Sequence, residues 1–284
     1  MLSAVTASFP NGIGLGLRFD MARRFLDEQP DVAFVEIHPE NYLRRGGLYR
    51  ELLDRTLQRY PVLTHGLTMC FGHSSPFDRD YLHDLKRFLR EVRTPWHSDH
   101  LCFGGAGGVF AHDLLPIPFT EEALTTVVQR FTEARDALDV ELAFENVSYY
   151  AAQSDDPLDE ARFCVEVLER ADAKIMLDVN NVFVNSRNFG FDPRAWIDLI
   201  PPQRVVQMHV AGHLVRADGL RIDTHGEPIP DGVYDLLEYT LRRVGPRPVL
   251  LERDNNIPTL EELLAEVRRL EAVYERALET TGAA

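Results

Sequence analysis

Gln207 to Glu227 reads QMHVAGHLVRADGLRIDTHGE. A short apolar approach with the character of a buried strand leads to His209, Gly212 and His213, then comes a polar loop, and then Asp223-Thr224-His225. Side chains two residues apart on an extended segment point the same way, so Asp223 and His225 are expected to grip one ion together. His209 would arrive beside them from the preceding strand. One such cluster is suggestive only, and its weight depends on whether other strands end in the same way.

They do. Upstream lie KIMLDVNN (Lys174–Asn181), DVELAFEN (Asp139–Asn146), TPWHSDHL (Thr94–Leu101), YPVLTHG (Tyr60–Gly66) and VAFVEIH (Val32–His38); downstream lies PVLLERD (Pro248–Asp254). Hydrophobicity that is continuous rather than alternating marks strands buried on both faces. GIGLGL (Gly12–Leu17) is a first strand whose glycines fit either close packing against neighbours or, less well, a phosphate loop. Helical spacing fills the intervals, at residues 20–29, 50–59, 78–92, 158–170, 193–200, 231–244 and 258–280. Eight buried strands alternating with helices predict an α/β fold of the (β/α)₈ TIM barrel type, in which ligands collect at the C-terminal strand ends. No linker or shift of composition divides residues 1–284, so a single domain is expected. Cys102 to Phe119, with its GGAGG, is long for a connection and reads as a lid or binding loop, or as a surface insertion.

The formal net charge of -15 argues against a nucleic-acid partner, because a phosphate backbone would be repelled. No apolar run of about 18 residues is present for crossing a membrane. The start of the chain does not resemble a signal peptide, so a cytoplasmic location is expected. Cys70, Cys102 and Cys164 are spaced for neither a disulfide framework nor a zinc knuckle, and read as small core or loop residues.

The strand ends and the loop after strand seven offer His65, His100, Glu145, Asp178, Asn181, His209, Asp223, His225 and Glu252 as metal ligands. Four carboxylates so close together would repel strongly unless cations neutralised them. Mixed imidazole and carboxylate ligation suits zinc, iron or manganese, and nine ligands suit two or three ions bridged by a carboxylate, with positions left open. His38, His97, His213 and Asp254 are candidates to orient ligands or touch substrate. His73, His83 and His112 read as surface or loop residues.

EIHPENY, THG, HSDHL, LLPIPFTEE, FENVSYY, LDVNNVFVNSRN, HVAGH, DTHGE and LLERD, spread over Gly12 to Asp254, resemble the multinuclear non-haem iron-dependent oxidative enzymes (MNIO). The resemblance implies a xylose isomerase-like barrel holding two or three Fe(II)/Fe(III) ions. It also implies dioxygen as co-substrate and oxidation of a ribosomally made precursor peptide, commonly at cysteine, with hydrogen removed from the β-carbon. By motif, His65, His100 and Glu145 resemble the ligands of one iron; Glu145 would bridge to a second, completed by Asp178, His209 and Glu252. Asn181, Asp223 and His225 resemble a third site. Glu145, Asp178 and His209 would then be the catalytic core, and a separate leader-recognition protein is an expected partner. The motifs also resemble endonuclease IV, a trinuclear zinc phosphodiesterase that carries histidine where Asn181 stands. A neutral amide there implies a weakly held third metal and favours the oxidative family. A metal-dependent hydrolase or isomerase of the same superfamily is the alternative, and a metal-binding scaffold without turnover the third reading.

Overall fold

Strands buried on both faces have to be paired on both edges as well, and eight of them in parallel satisfy this by closing into a barrel. The computed structural model, which describes residues 11–106 and 109–279, shows that closure. The barrel strands are β1 (Gly12–Gly16), β2 (Val35–Ile37), β3 (Val62–His65), β4 (Trp96–His100), β5 (Glu141–Glu145), β6 (Lys174–Asp178), β7 (Val205–Val210) and β8 (Pro248–Leu251). Each pairs in parallel with its sequence neighbours, and β1 closes against β8. Around them run α1 (Phe19–Glu28), α2 (Leu48–Arg59), α3 (Arg79–Val92), α4 (Glu121–Leu138) and α5 (Asp159–Arg170). The ring continues with α6 (Val179–Phe189), α7 (Pro193–Leu199), α8 (Asp231–Val244) and α9 (Leu260–Glu279). No helix among the described residues is long and apolar enough to cross a membrane.

The main core lies between strands and helices, where Phe25, Phe131, Phe144 and Trp196 are fully or almost fully buried. Inside the barrel, Phe34, Leu63 and Leu250 form a separate plug. A Cβ on Gly14 would stand 2.5 Å from the Phe34 ring, so the glycine run of β1 makes room for this plug. Residues two apart share a strand face. The plug residues Phe34, Leu63 and Leu250 are therefore followed, one layer toward the C-terminal ends, by Glu36, His65 and Glu252. The same parity brings His100, Glu145, Asp178 and His209 into that layer from β4 to β7. An apolar floor thus supports a polar layer in which Glu36, Asp178 and His209 have no solvent exposure.

One local expectation is corrected and two loops gain structure. The sixth strand stops at Asp178, and α6 begins at Val179, so Asn180 and Asn181 sit in the first turn of a helix. Asp178 ends the strand because its Oδ1 caps that helix, accepting from the Asn181 N–H at 2.7 Å. The segment from Cys102 to Phe119, read as a lid, binding loop or surface insertion, contains an antiparallel hairpin, Phe103–Ala106 with Val109–Leu115. The polar loop after β7 likewise holds a small hairpin, Leu214–Val215 with Arg221–Ile222. Gly107, Gly108, the side chain of His112, Thr280 and both ends of the expected 1–284 domain lie outside the described residues.

Candidate metal centre

Three atoms meet where β3, β4 and β5 end. His65 Nε2 lies 3.0 Å from Glu145 Oε2, His100 Nε2 lies 3.2 Å from the same oxygen, and the two imidazole nitrogens are 3.2 Å apart. Ligands about 2.1 Å from a shared ion stand about 3.0 to 3.4 Å from one another in octahedral or tetrahedral geometry, so the triangle has the size of a coordination face. Glu145 Oε2 is buried without a hydrogen-bond partner, although both nitrogens are near. The three atoms lie 3.0 to 3.2 Å from one another, the spacing a shared cation would require.

Glu145 also belongs to a second group, with Asp178, His209 and Glu252, whose ligand atoms lie within 4.8 Å of one another. His209 Nδ1 is 3.1 Å from Glu252 Oε2 and 3.9 Å from Glu145 Oε1. Asp178 Oδ2 is buried without a partner. Burial together with the charges of Glu145 and Asp223 raises the Asp178 carboxyl well above the carboxylate range. His100 is pushed the other way: burial would lower it, but Glu145 and Asp99 outweigh burial and take it up to about 9. A metal must displace that proton. Apparent metal affinity is therefore expected to climb with pH up to about 9, with protons released on binding. Competition titrations at several pH values check this.

The remaining trio is partly assembled. His225 Nε2 lies 2.8 Å from Asp223 Oδ1, but not through the extended geometry read from the sequence. The strand ends at Ile222, and His225 adopts a left-handed conformation (φ 48°), its carbonyl held by the Asp254 N–H at 3.1 Å. Asn181 Oδ1 is buried without a partner while its Nδ2 donates to the Asn146 carbonyl. Asn180 donates to Asp223 Oδ1 at 2.7 Å and its Oδ1 meets His213 Nδ1 at 2.8 Å, which is how His213 reaches this end of the site.

The barrel fold is shared with solved structures of low sequence identity. A xylose isomerase domain protein from Alicyclobacillus acidocaldarius superposes with a TM-score of 0.59 at 15% identity, covering 94% of this chain and 99% of its own. A D-psicose 3-epimerase from Clostridium cellulolyticum H10 gives 0.56 at 11%, covering 96% and 98%. Among curated relatives, a UPF0276 protein of Caulobacter vibrioides is 42% identical over 90% of this chain and 92% of its own, and one of Acinetobacter baylyi 39% over 96% and 94%. The family described as RiPP precursor modification enzyme MbnB/TglH/ChrH matches residues 12–275. The chain belongs to this family. It is therefore one of an enzyme family that modifies ribosomally synthesised precursor peptides, built on a xylose isomerase-like TIM barrel.

Behind the candidate ligands stands a layer of groups that the sequence did not assign to the centre. Glu36, in the apolar run of β2, shares the inward face with Phe34; its Oε2 lies 3.0 Å from His209 Nε2 and accepts from Gln207 Nε2 at 2.6 Å. Burial would raise Glu36, but His209 prevails and takes it down to about 2. Glu36 thus fixes which nitrogen of His209 faces the centre. Glu36→Gln should lower metal affinity by about 10 to 100-fold, read from chelator competition. Ser98 Oγ does the same for His65, at 2.9 Å from Nδ1.

Arg18 follows β1 and is 8% exposed. It donates to Glu252 Oε1 at 2.8 Å and to Asp254 Oδ1 at 2.5 Å, and Asp254 Oδ2 in turn lies 2.9 Å from His225 Nδ1. One guanidinium therefore sets two carboxylates, each of which faces an imidazole. Arg18→Gln leaves them unneutralised and is expected to cost about 3 kcal/mol, the lower end for breaking a buried pair because Asp254 is partly exposed. Urea denaturation of the metal-free protein measures it. His38 belongs to the same corner: it donates Nδ1–H to the His65 carbonyl at 2.9 Å and groups with Glu252 and Asp254. Burial, with Arg18 and His65 nearby, takes His38 down to about 4, so it is neutral at physiological pH. His97 is different, for it lies on the strand face opposite His100, with Nδ1 3.0 Å from Thr64 Oγ1.

Two of the three cysteines also flank the centre. Cys70, in a left-handed conformation, donates its N–H to Asp99 Oδ1 and packs with Cys102 and Val147. The hydrogen bond from Cys102, opposed by burial and helped by His73, brings the Cys70 thiol down to about 6.

Proposed function

We propose that this enzyme oxidises a residue near the C-terminus of a precursor peptide, cysteine foremost, using two or three irons and dioxygen. The observation that carries this reading is Glu145, one carboxylate common to two ligand groups, one of them paired imidazoles and the other richer in carboxylates. Such unlike sites side by side suit ions in different oxidation states. The donor set, imidazole and carboxylate without thiolate, is open to redox iron as well as zinc. Iron would supply the electrons and the binding positions for dioxygen and the substrate side chain.

The chain's own residues then have distinct tasks. His65, His100 and Glu145 hold one ion; Glu145, Asp178, His209 and Glu252 hold the other. Asn181, Asp223 and His225 offer a third position in which a neutral amide replaces a charged or imidazole ligand. Arg18, Glu36 and Ser98 keep the ligands aimed, which limits the reorganisation that chemistry would otherwise demand. A cleft of about 500 Å³ is lined by Asp20, Arg24, Asp254, Asn255 and Asn256 among others, so it borders the Asp254 that pairs with Arg18, and it is large enough for a few peptide residues. A separate protein that grips the leader of the precursor is part of the same proposal.

Elemental analysis after anaerobic purification, with Mössbauer spectroscopy of an iron-57 sample, tests the reading. Two or more irons per chain, a coupled Fe(II)/Fe(III) signal and an oxygen-dependent mass change on a precursor encoded beside the gene are the expected results. Zinc alone, with no activity gained on reconstitution with iron, would replace it with a hydrolase or isomerase of the same barrel.

A further inference from the structure

Cys70 and Cys102 take no part in the ligand groups, yet they are not placed like packing residues. Cys164 shows what packing looks like in this protein: it lies on α5 in the main core among aliphatic and aromatic side chains, and burial, with the Glu160 carboxylate nearby, pushes its thiol far up. The other two thiols are hydrogen bonded to each other. His73 hydrogen bonds to Cys70 and is braced by the backbone at Gly105. The backbones that carry the pair are joined as well, since the Gly72 N–H donates to the Cys102 carbonyl at 2.9 Å and the Phe71 N–H to the His100 carbonyl at 3.0 Å. The first strand of the long hairpin closes over them: a Cβ on Gly104 would meet Cys70 Sγ at 2.9 Å and His73 Nε2 at 3.3 Å. Two buried thiols in contact, an imidazole on one of them and a glycine whose missing Cβ clears Cys70 Sγ and His73 make a site suited to thiol chemistry.

We propose that Cys70 and Cys102 form a redox-active dithiol that is oxidised to a disulfide by hydrogen peroxide. His73 takes the Cys70 proton as the sulfur attacks one peroxide oxygen; the O–O bond breaks, the proton passes to the departing oxygen, and Cys70 sulfenic acid and water result. The Cys102 thiol then attacks that sulfur, an S–S bond forms, and a second water leaves. The pair gives up two hydrogens and the peroxide is reduced to two waters. Because Cys102 stands two residues after His100 and Asp99 binds the Cys70 N–H at 3.2 Å, the site reports on oxidant that reaches the centre's edge. The proposal does not depend on which metal the centre holds.

The test is thiol counting on the full chain. Protein exposed to one equivalent of peroxide is denatured in N-ethylmaleimide and weighed intact. The three free thiols should fall to one, so the intact protein should carry one maleimide where the untreated protein carries three and, apart from the adducts, weigh two hydrogens less, and a thiol reductant should restore all three thiols. A peptide map should join Cys70 to Cys102. Cys102→Ser should instead accumulate sulfenic and sulfinic acid on Cys70, His73→Asn should slow the loss of thiols without changing its end point, and Cys164→Ser should still lose both. Retention of three thiols, oxidation of Cys164 at the same rate, or sulfinic acid on Cys70 of the unaltered protein without a disulfide would each overturn the proposal.

Discussion

Glu145→Gln is expected to remove at least one metal ion per chain and to reduce peptide modification by more than about 100-fold, the upper end of what losing a mere supporting group costs. The side chain keeps its volume and one carbonyl oxygen, so the fold should survive; circular dichroism and thermal denaturation provide the control. What it loses is an anion shared by two groups. Oε2 faces His65 and His100 at 3.0 and 3.2 Å, and Oε1 faces His209 at 3.9 Å. An amide can offer its oxygen to only one side, and its NH₂ would turn a donor toward the other. The loss should therefore be cooperative: both groups weaken, whereas His65→Asn should weaken chiefly the first. Full metal content with undiminished activity in Glu145→Gln would mean that the two groups are independent sites, or not metal sites.

The barrel was legible because a strand buried on both faces leaves a continuous apolar run, and eight such runs alternate with helical spacing. The inner layer was legible wherever a polar residue ended a run: His65, His100, Glu145, Asp178 and His209 all sit at or next to a strand terminus in the structure. Glu36 lies inside the apolar run Val32–His38 and does not stand out as a run-ending residue. Its position two residues after Phe34, on the same inward face, was the available signal that it belongs with the candidate ligands. Arg18 offered none, since its partners Glu252 and Asp254 are 234 and 236 residues away. The end of β6 was misplaced because Asp178, the last strand residue, itself caps the helix that follows, and Asp-Val-Asn-Asn reads equally well as a strand tip. The contact between Asp223 and His225 was anticipated, but it rests on a left-handed residue that no spacing rule indicates.

Asp178→Asn should make the metal-free protein more stable while disabling the centre. In the metal-free fold Asp178 is fully buried, one oxygen caps α6, and the other faces Glu145 and the neighbouring carboxylates without a partner. Burial, Glu145 and Asp223 together raise its folded-state pKa above the ordinary 3.8. A carboxyl raised in this way stabilises the fold fully below 3.8, and that contribution is lost as pH rises through the folded value. At neutral pH and above, the native state thus carries a cost that an asparagine would not. Asparagine caps a helix as well as aspartate does, and its NH₂ can donate to a carboxylate that Asp178 only repels. The expected gain is about 1 to 3 kcal/mol, typical of relieving an uncompensated buried polar group. That corresponds to about 2 to 4 °C per kcal/mol in a domain approaching this size. The gain should be largest at pH 8 and nearly absent at pH 4, where the unaltered carboxyl is already protonated. Cations reverse the sign: in protein loaded with metal, Asp178 becomes an attractive ligand and the asparagine variant should melt below the unaltered protein. A crossing of the two stability orders on addition of metal would identify Asp178 as a residue whose folding cost the cation offsets. Parallel shifts with and without metal would remove it from the centre.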